Sequence, residues 1–155
     1  MEVGSIEREI YVDAPPETVF EVLSTPEHIR EWWGGAETDL TPTPGSVAEI
    51  SWGRGTADEH IGPLTVVEAD PPRLFSFRWT YDEGAEAATA TNSLLVTFEL
   101  VPSDAGTLLR LTETGFRENG WEAAVLEAAY DDHVTGWDLY VPAIAAYVAR
   151  LVATP

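Results

Sequence analysis

The sequence contains no cysteine and no lysine. The first absence excludes disulfides, thiolate nucleophiles and cysteine-based metal sites. The second leaves eight arginines to face 27 acidic residues, for a net charge of −19. A surface so short of positive charge repels phosphate backbones and anionic lipid, which argues against nucleic acid and membrane surfaces as partners. No apolar run approaches the roughly 20 residues that span a bilayer. The N-terminus lacks a basic stretch followed by an apolar one, so no signal peptide is expected and the expected location is the cytoplasm. Several chemical signatures are missing too. There is no Gly-x-Ser-x-Gly elbow, and Gly53-Arg54-Gly55 has no third glycine and leads toward a strand, so it is not a phosphate loop. The three histidines, His28, His60 and His133, show no His-Glu-x-x-His spacing, so no metal site and no cofactor are expected.

What is present suits one domain over residues 1–155, with 45% hydrophobic residues and six tryptophans to build a core. One use of so much negative charge is solubility in concentrated salt, where repulsion is screened, and this points to a salt-loving source. A GC-rich genome would exchange lysine for arginine but would not add the acid excess.

The most informative stretch is the last helix. His133, Trp137, Tyr140, Val141, Ile144, Val148 and Leu151 fall on one stripe at helical spacing, while Asp131, Asp132, Thr135, Asp138 and Arg150 fall off it. A stripe this aromatic needs a broad apolar surface to lie on. Gly136 costs this helix about 1 kcal/mol against alanine, and Pro142 withdraws one N–H and crowds the carbonyl of Asp138. Two readings of Gly136 stand: a tolerated residue in a core helix, or a gap that admits a ligand. The run from Trp121 to Leu151 is long for a domain of this size. A short helix over Glu122 to Tyr130 is therefore expected, with a break at Asp131-Asp132 before the long one.

The rest reads mostly as strand. Ile6 to Val12 alternates, and Asp13 is expected to cap a short helix holding Val19, Phe20 and Leu23. A second short helix carries Ile29, Trp32 and Trp33 and stops at Gly34-Gly35. Val47 to Trp52 is a strand, and Glu59 to Glu68 is its return, with an interruption expected at Gly62-Pro63. Leu74 to Tyr81 sets Phe75, Phe77, Trp79 and Tyr81 on one face. Asp82 to Ala90 is small and acidic and reads as a mobile loop. Ser93 to Val101 points Leu94, Val96, Phe98 and Leu100 inward. Thr107 to Thr114 returns with Leu109, Leu111 and Glu113 on one face.

This order, together with local motifs, resembles the START-like (SRPBCC) superfamily, and within it the branch named for the activator of heat-shock protein 90 ATPase. The motifs are Arg8, Ala14-Pro15-Pro16 and Val19-Phe20, then Pro26-Glu27 before Trp32-Trp33, Pro44-Gly45, and Pro71-Pro72-Arg73-Leu74 leading to Trp79. Val96-Thr97-Phe98, Leu111-Thr112-Glu113-Thr114-Gly115-Phe116, and His133, Gly136 and Trp137 complete the set. The resemblance implies an α+β helix-grip fold. Its parts are a curved antiparallel sheet of about six to seven strands, two short helices after the first strand, and a long C-terminal helix across the sheet. It also implies a hydrophobic ligand between helix and sheet, and dimers.

Three functions follow. The first is binding of a small apolar or aromatic molecule, with Trp52, Trp79, Tyr81, Trp137 and Tyr140 lining the cavity and His60, Glu113 and His133 as polar handles. Trp32 and Trp33 are expected at the rim, since a pair before Gly-Gly cannot send both rings in one core direction. The second is a polyketide-cyclase-like or hydrolase-like enzyme using Glu113, His60 or His133 as acid or base. Against it stands a simpler arrangement, in which His133 caps the cavity mouth and Glu113 pairs with an arginine. The third is an interaction module associated with a chaperone, as the family name suggests.

Overall fold

The computed structural model describes residues 5–53, 55–57, 59–79, 88–89, 93–115 and 123–153. Strand β1 (Ile6–Val12) leads into helices α1 (Pro16–Ser24) and α2 (Pro26–Trp32). Strands β2 (Glu37–Thr38), β3 (Val47–Trp52), β4 (His60–Asp70), β5 (Leu74–Trp79), β6 (Leu94–Ser103) and β7 (Gly106–Thr114) follow, and helix α3 (Ala123–Ala153) ends the described chain. The strands form one antiparallel sheet in the order β1-β7-β6-β5-β4-β3-β2. This is the helix-grip architecture.

Prolines set the start of the chain. Pro15 is the N-cap of α1 with extended backbone, and no side chain caps the helix, so Asp13 does not play that role. Thr25 closes α1 and opens α2 at φ −110° and ψ 126°, because a residue before proline is kept out of the helical region. Trp33 leaves helical geometry at φ −110° and ψ 54°. Gly34 follows at φ +62°, the left-handed region that favours glycine.

Three local expectations are corrected. Strand β4 runs through Gly62-Pro63, with Pro63 opposite Glu49, and its irregularity falls between Val66 and Glu68 in the ladder to β5. There Val67 is the extra residue, turned outward and exposed. Helix α3 passes Asp131-Asp132 unbroken. Both aspartates lie exposed on its outer side, while Tyr130 Oη donates to the Ser5 carbonyl (3.2 Å) and His133 and Trp137 anchor the next turn to the sheet. Tertiary contacts on both sides of the acidic pair outweigh its weak helix preference. At 31 residues the helix is about 46 Å long. Finally, Leu151 is exposed rather than part of the buried stripe, which ends at Val148.

The core lies between the inner sheet face and the helices. Phe75, Phe77, Val96, Phe98, Leu100, Leu109 and Leu111 meet Val19, Leu23, Ile29, Trp32, Val141, Ile144 and Val148. Arg8 of β1 reaches Asp138 of α3 at 2.7 Å, one turn before Pro142, which lies inside the helix. Among the described residues no helix is long and apolar enough to cross a membrane.

Candidate functional site

Strand β7 sends Leu109, Leu111 and Glu113 to the core in alternation, so pleating carries a carboxylate to an apolar position. Glu113 has no solvent exposure. Its Oε1 accepts hydrogen bonds from His133 Nδ1 (2.7 Å) and Trp137 Nε1 (2.9 Å), and its Oε2 accepts one from Trp79 Nε1 (2.9 Å). An indole N–H can only donate, so each carboxyl oxygen accepts a bond, and the imidazole pairs with Oε1 through Nδ1. His133 and Trp137 are four residues apart and share one helix face. Trp79 arrives from β5, two strands away from β7. Burying a carboxylate costs several kcal/mol, and three bonds to a charged acceptor, each worth about 1.5–3 kcal/mol, offset it.

The three bonded rings belong to a larger aromatic group centred on Trp33. Its ring centroid lies 5.3 Å from Trp52, 5.4 Å from Trp79 and 5.6 Å from Trp137. Trp32 stacks on its other side at 5.4 Å with the planes 6° apart. Both rings of the pair are therefore buried, and neither sits at a rim. The change of backbone angle at Trp33 turns its side chain away from the helical step and lays it flat on its neighbour. Trp32 Nε1 donates to the Val22 carbonyl (2.9 Å), and Trp52 Nε1 donates to the Trp33 carbonyl (2.9 Å). His133 lies over Trp79 at 5.2 Å, and Tyr140 meets Trp137 edge-on at 6.4 Å.

These side chains border an open cavity of about 470 Å³ along α3, within the range of small-molecule sites. Trp33, Trp52, Trp79, His133, Trp137 and Tyr140 form its walls, and Asp132, Thr135, Gly136 and Leu139 stand along the helix beside them. Six of the candidate residues thus converge. Glu113 does not line the cavity; it stands behind three residues that do, and its partners are two indoles and an imidazole, not an arginine. Trp32 is one layer deeper. His60 opens β4 opposite Trp52, but its side chain lies outside the described residues. Tyr81 and all of the Asp82–Ala90 segment except Ala88 and Thr89 lie outside them too. Asp132, Thr135 and Leu139 were not among the candidates. They are off the buried stripe, yet their spacing of three and four residues marks a second stripe beside it.

A model of the family described as Activator of Hsp90 ATPase homolog 1-like protein matches residues 13–149. The chain belongs to that family. The matched span holds the whole aromatic group, Glu113 and His133. Among solved structures, a Mesorhizobium loti protein is similar at 25% identity with a TM-score of 0.75, covering 94% of this chain and 97% of that one. A Bacillus halodurans protein is similar at 25% identity and a TM-score of 0.67, covering 93% and 96%. DynU16, described as a putative protein in the dynemicin biosynthetic locus, is 18% identical with a TM-score of 0.69, covering 94% of this chain and 47% of that one; it shares the fold. No curated protein matches. Membership of the Hsp90-activator-like family defines architecture here, since one fold hosts many functions.

Proposed function

We propose that this protein binds a small apolar or aromatic molecule in the cavity beneath α3, in contact with Trp33, Trp52, Trp79, His133, Trp137 and Tyr140. The observation that carries this reading is the cavity itself, about 470 Å³ and walled by four indoles and a phenol. Large aromatic side chains would fill such a space if they were free to turn inward. Here Trp79 and Trp137 are tied to Glu113 and Trp52 to the Trp33 carbonyl, so the walls are held apart. The family resemblance supports the same reading, because START-like proteins commonly hold a hydrophobic ligand between helix and sheet.

Native mass spectrometry of gently purified protein tests it, followed by solvent extraction. The expected result is a discrete added mass that denaturation releases, and its loss in Trp137→Ala. A bare mass, together with no response of tryptophan fluorescence to any of a panel of aromatic compounds, refutes it.

One observation favours a second reading, acid–base catalysis. His133 faces the cavity while its Nδ1 is held at 2.7 Å by a buried carboxylate, an arrangement that orients an imidazole for proton transfer. On that reading His133→Asn abolishes turnover of a captured ligand while leaving its binding intact. Unchanged chemistry in that variant removes His133 from the mechanism.

A further inference from the structure

The walls of the cavity have few hydrogen-bond donors left to offer. The indole N–H groups of Trp79 and Trp137 are spent on Glu113, and that of Trp52 on the Trp33 carbonyl. The Nδ1 of His133 is spent on Glu113 as well. The indoles of Trp52, Trp79 and Trp137 therefore offer carbon and π surface, not N–H groups, to whatever enters. Among the described residues the one charged side chain along the opening is the carboxylate of Asp132, and no arginine lines the space. A second carboxylate, Glu113, lies directly behind three of the walls. Hydrogen bonds from indole N–H groups to a carboxylate polarise the rings toward greater electron density. Around this, the chain as a whole carries −19, a field that concentrates cations and depletes anions.

We infer that the ligand is an organic cation, an ammonium or quaternary ammonium centre carrying apolar or aromatic arms, held against tryptophan faces with Asp132 at the opening. The inference rests on the cavity reading above and adds the sign of the ligand's charge. Tryptophan gives the strongest cation–π attraction of the aromatic residues, and convergent aromatic faces are how proteins recognise quaternary ammonium groups. An anionic ligand would meet π faces and a carboxylate, and the neutral hydroxyls of Thr135 and Tyr140 would offset little of its lost hydration. A neutral apolar ligand would be accepted, but it would gain nothing from Asp132 or from the polarised rings.

Three benzyl probes of different charge separate these cases: benzyltrimethylammonium, its uncharged carbon isostere neopentylbenzene, and the smaller anion phenylacetate. Each is titrated into the full chain in 0.3 M KCl, which screens the outer surface, with tryptophan fluorescence as the readout. The expected result is a Kd for the cation at least about tenfold below that of the isostere, with no saturable binding of phenylacetate. The isostere should displace the cation competitively. Asp132→Asn should weaken the cation about threefold or more and leave the isostere unchanged. If the isostere binds as tightly as the cation, the inference is overturned and the cavity reading stands. If the cation binds but the isostere cannot displace it and Asp132→Asn has no effect, it sits on the acidic surface, and the inference is again overturned. If none of the three binds, the inference is overturned, and the native mass measurement decides the cavity reading separately.

Discussion

Removing the Glu113 carboxylate should loosen α3 from the sheet more than any other single polar change. In Glu113→Ala, Trp79, His133 and Trp137 all lose their acceptor at sites no more than 6% exposed. A buried donor left without a partner costs about 1–3 kcal/mol. The three costs do not add in full, because water can enter the space vacated by the side chain. Breaking a buried charged contact on one side typically costs about 3–5 kcal/mol. A loss of about 4 kcal/mol is therefore expected, a large share of the roughly 5–15 kcal/mol that stabilises a domain. Glu113→Gln is the sharper test, since it keeps the shape. Its amide oxygen can serve Trp137 and His133 or Trp79, but its NH₂ must then face an N–H at the other end. About 2 kcal/mol should be lost. Urea denaturation followed by tryptophan fluorescence measures both changes. In nitrogen–proton spectra the indole signals of Trp79 and Trp137 should move in the same variants. A Glu113→Gln protein within about 0.5 kcal/mol of the parent would refute the idea that these bonds hold helix to sheet.

Four other outcomes are expected. Gly136→Ala should raise stability by about 1 kcal/mol, because a Cβ there would meet only Tyr140 Cε2 at 3.6 Å and Cδ2 at 3.9 Å; a lower Tm would show that the helix needs the gap. Gly34→Ala should cost about 1–2 kcal/mol, since φ is +62° and the new Cβ would come within 2.8 Å of the Tyr140 hydroxyl; an unchanged Tm would contradict this. The Tyr147 hydroxyl is held above its ordinary value of 10.0, first by burial and then by the charge of Glu31, with Arg150 pulling the other way. The folded state thus binds this proton more tightly than the unfolded chain, so the contribution is whole below pH 10.0 and fades as pH rises through the folded value. A 295 nm titration, compared with Tyr147→Phe, should place the missing step above pH 10.0; a step at or below it would contradict the assignment. The acid excess predicts a Tm that climbs with added KCl, and a flat response would sink the salt-loving reading.

Much of this architecture was legible in the chain. Period-two alternation at Leu94 to Leu100 and at Leu109 to Glu113 assigned the inward faces correctly. The helical stripe from His133 to Val148 is the buried stripe of α3. What escaped were features decided by contacts distant in sequence. Glu113 had no visible partner, and the partners it finds come from β5 and α3, 34 and 20–24 positions away. Trp32 and Trp33 stack because one residue leaves helical angles, which side-chain periodicity cannot register. The acidic pair in α3 looked like a break because propensity counts each residue alone, whereas anchors on both flanks carry the helix through. Asp132, Thr135 and Leu139 looked like a solvent face, and they are one, but that face borders an opening.

That border divides the molecule into parts that should answer differently to substitution. Trp79, Glu113, His133 and Trp137 are mutually dependent, so drift at any one of them damages the others. Asp132, Thr135 and Leu139 are exposed, bear no share of the helix-to-sheet bonds among the described residues, and still touch the entrance. Each of the three should therefore accept substitution without loss of the fold. Paralogues that keep the quartet and vary these three positions would inherit one scaffold with different tastes, and a library confined to the three sites is the shortest route to a new ligand.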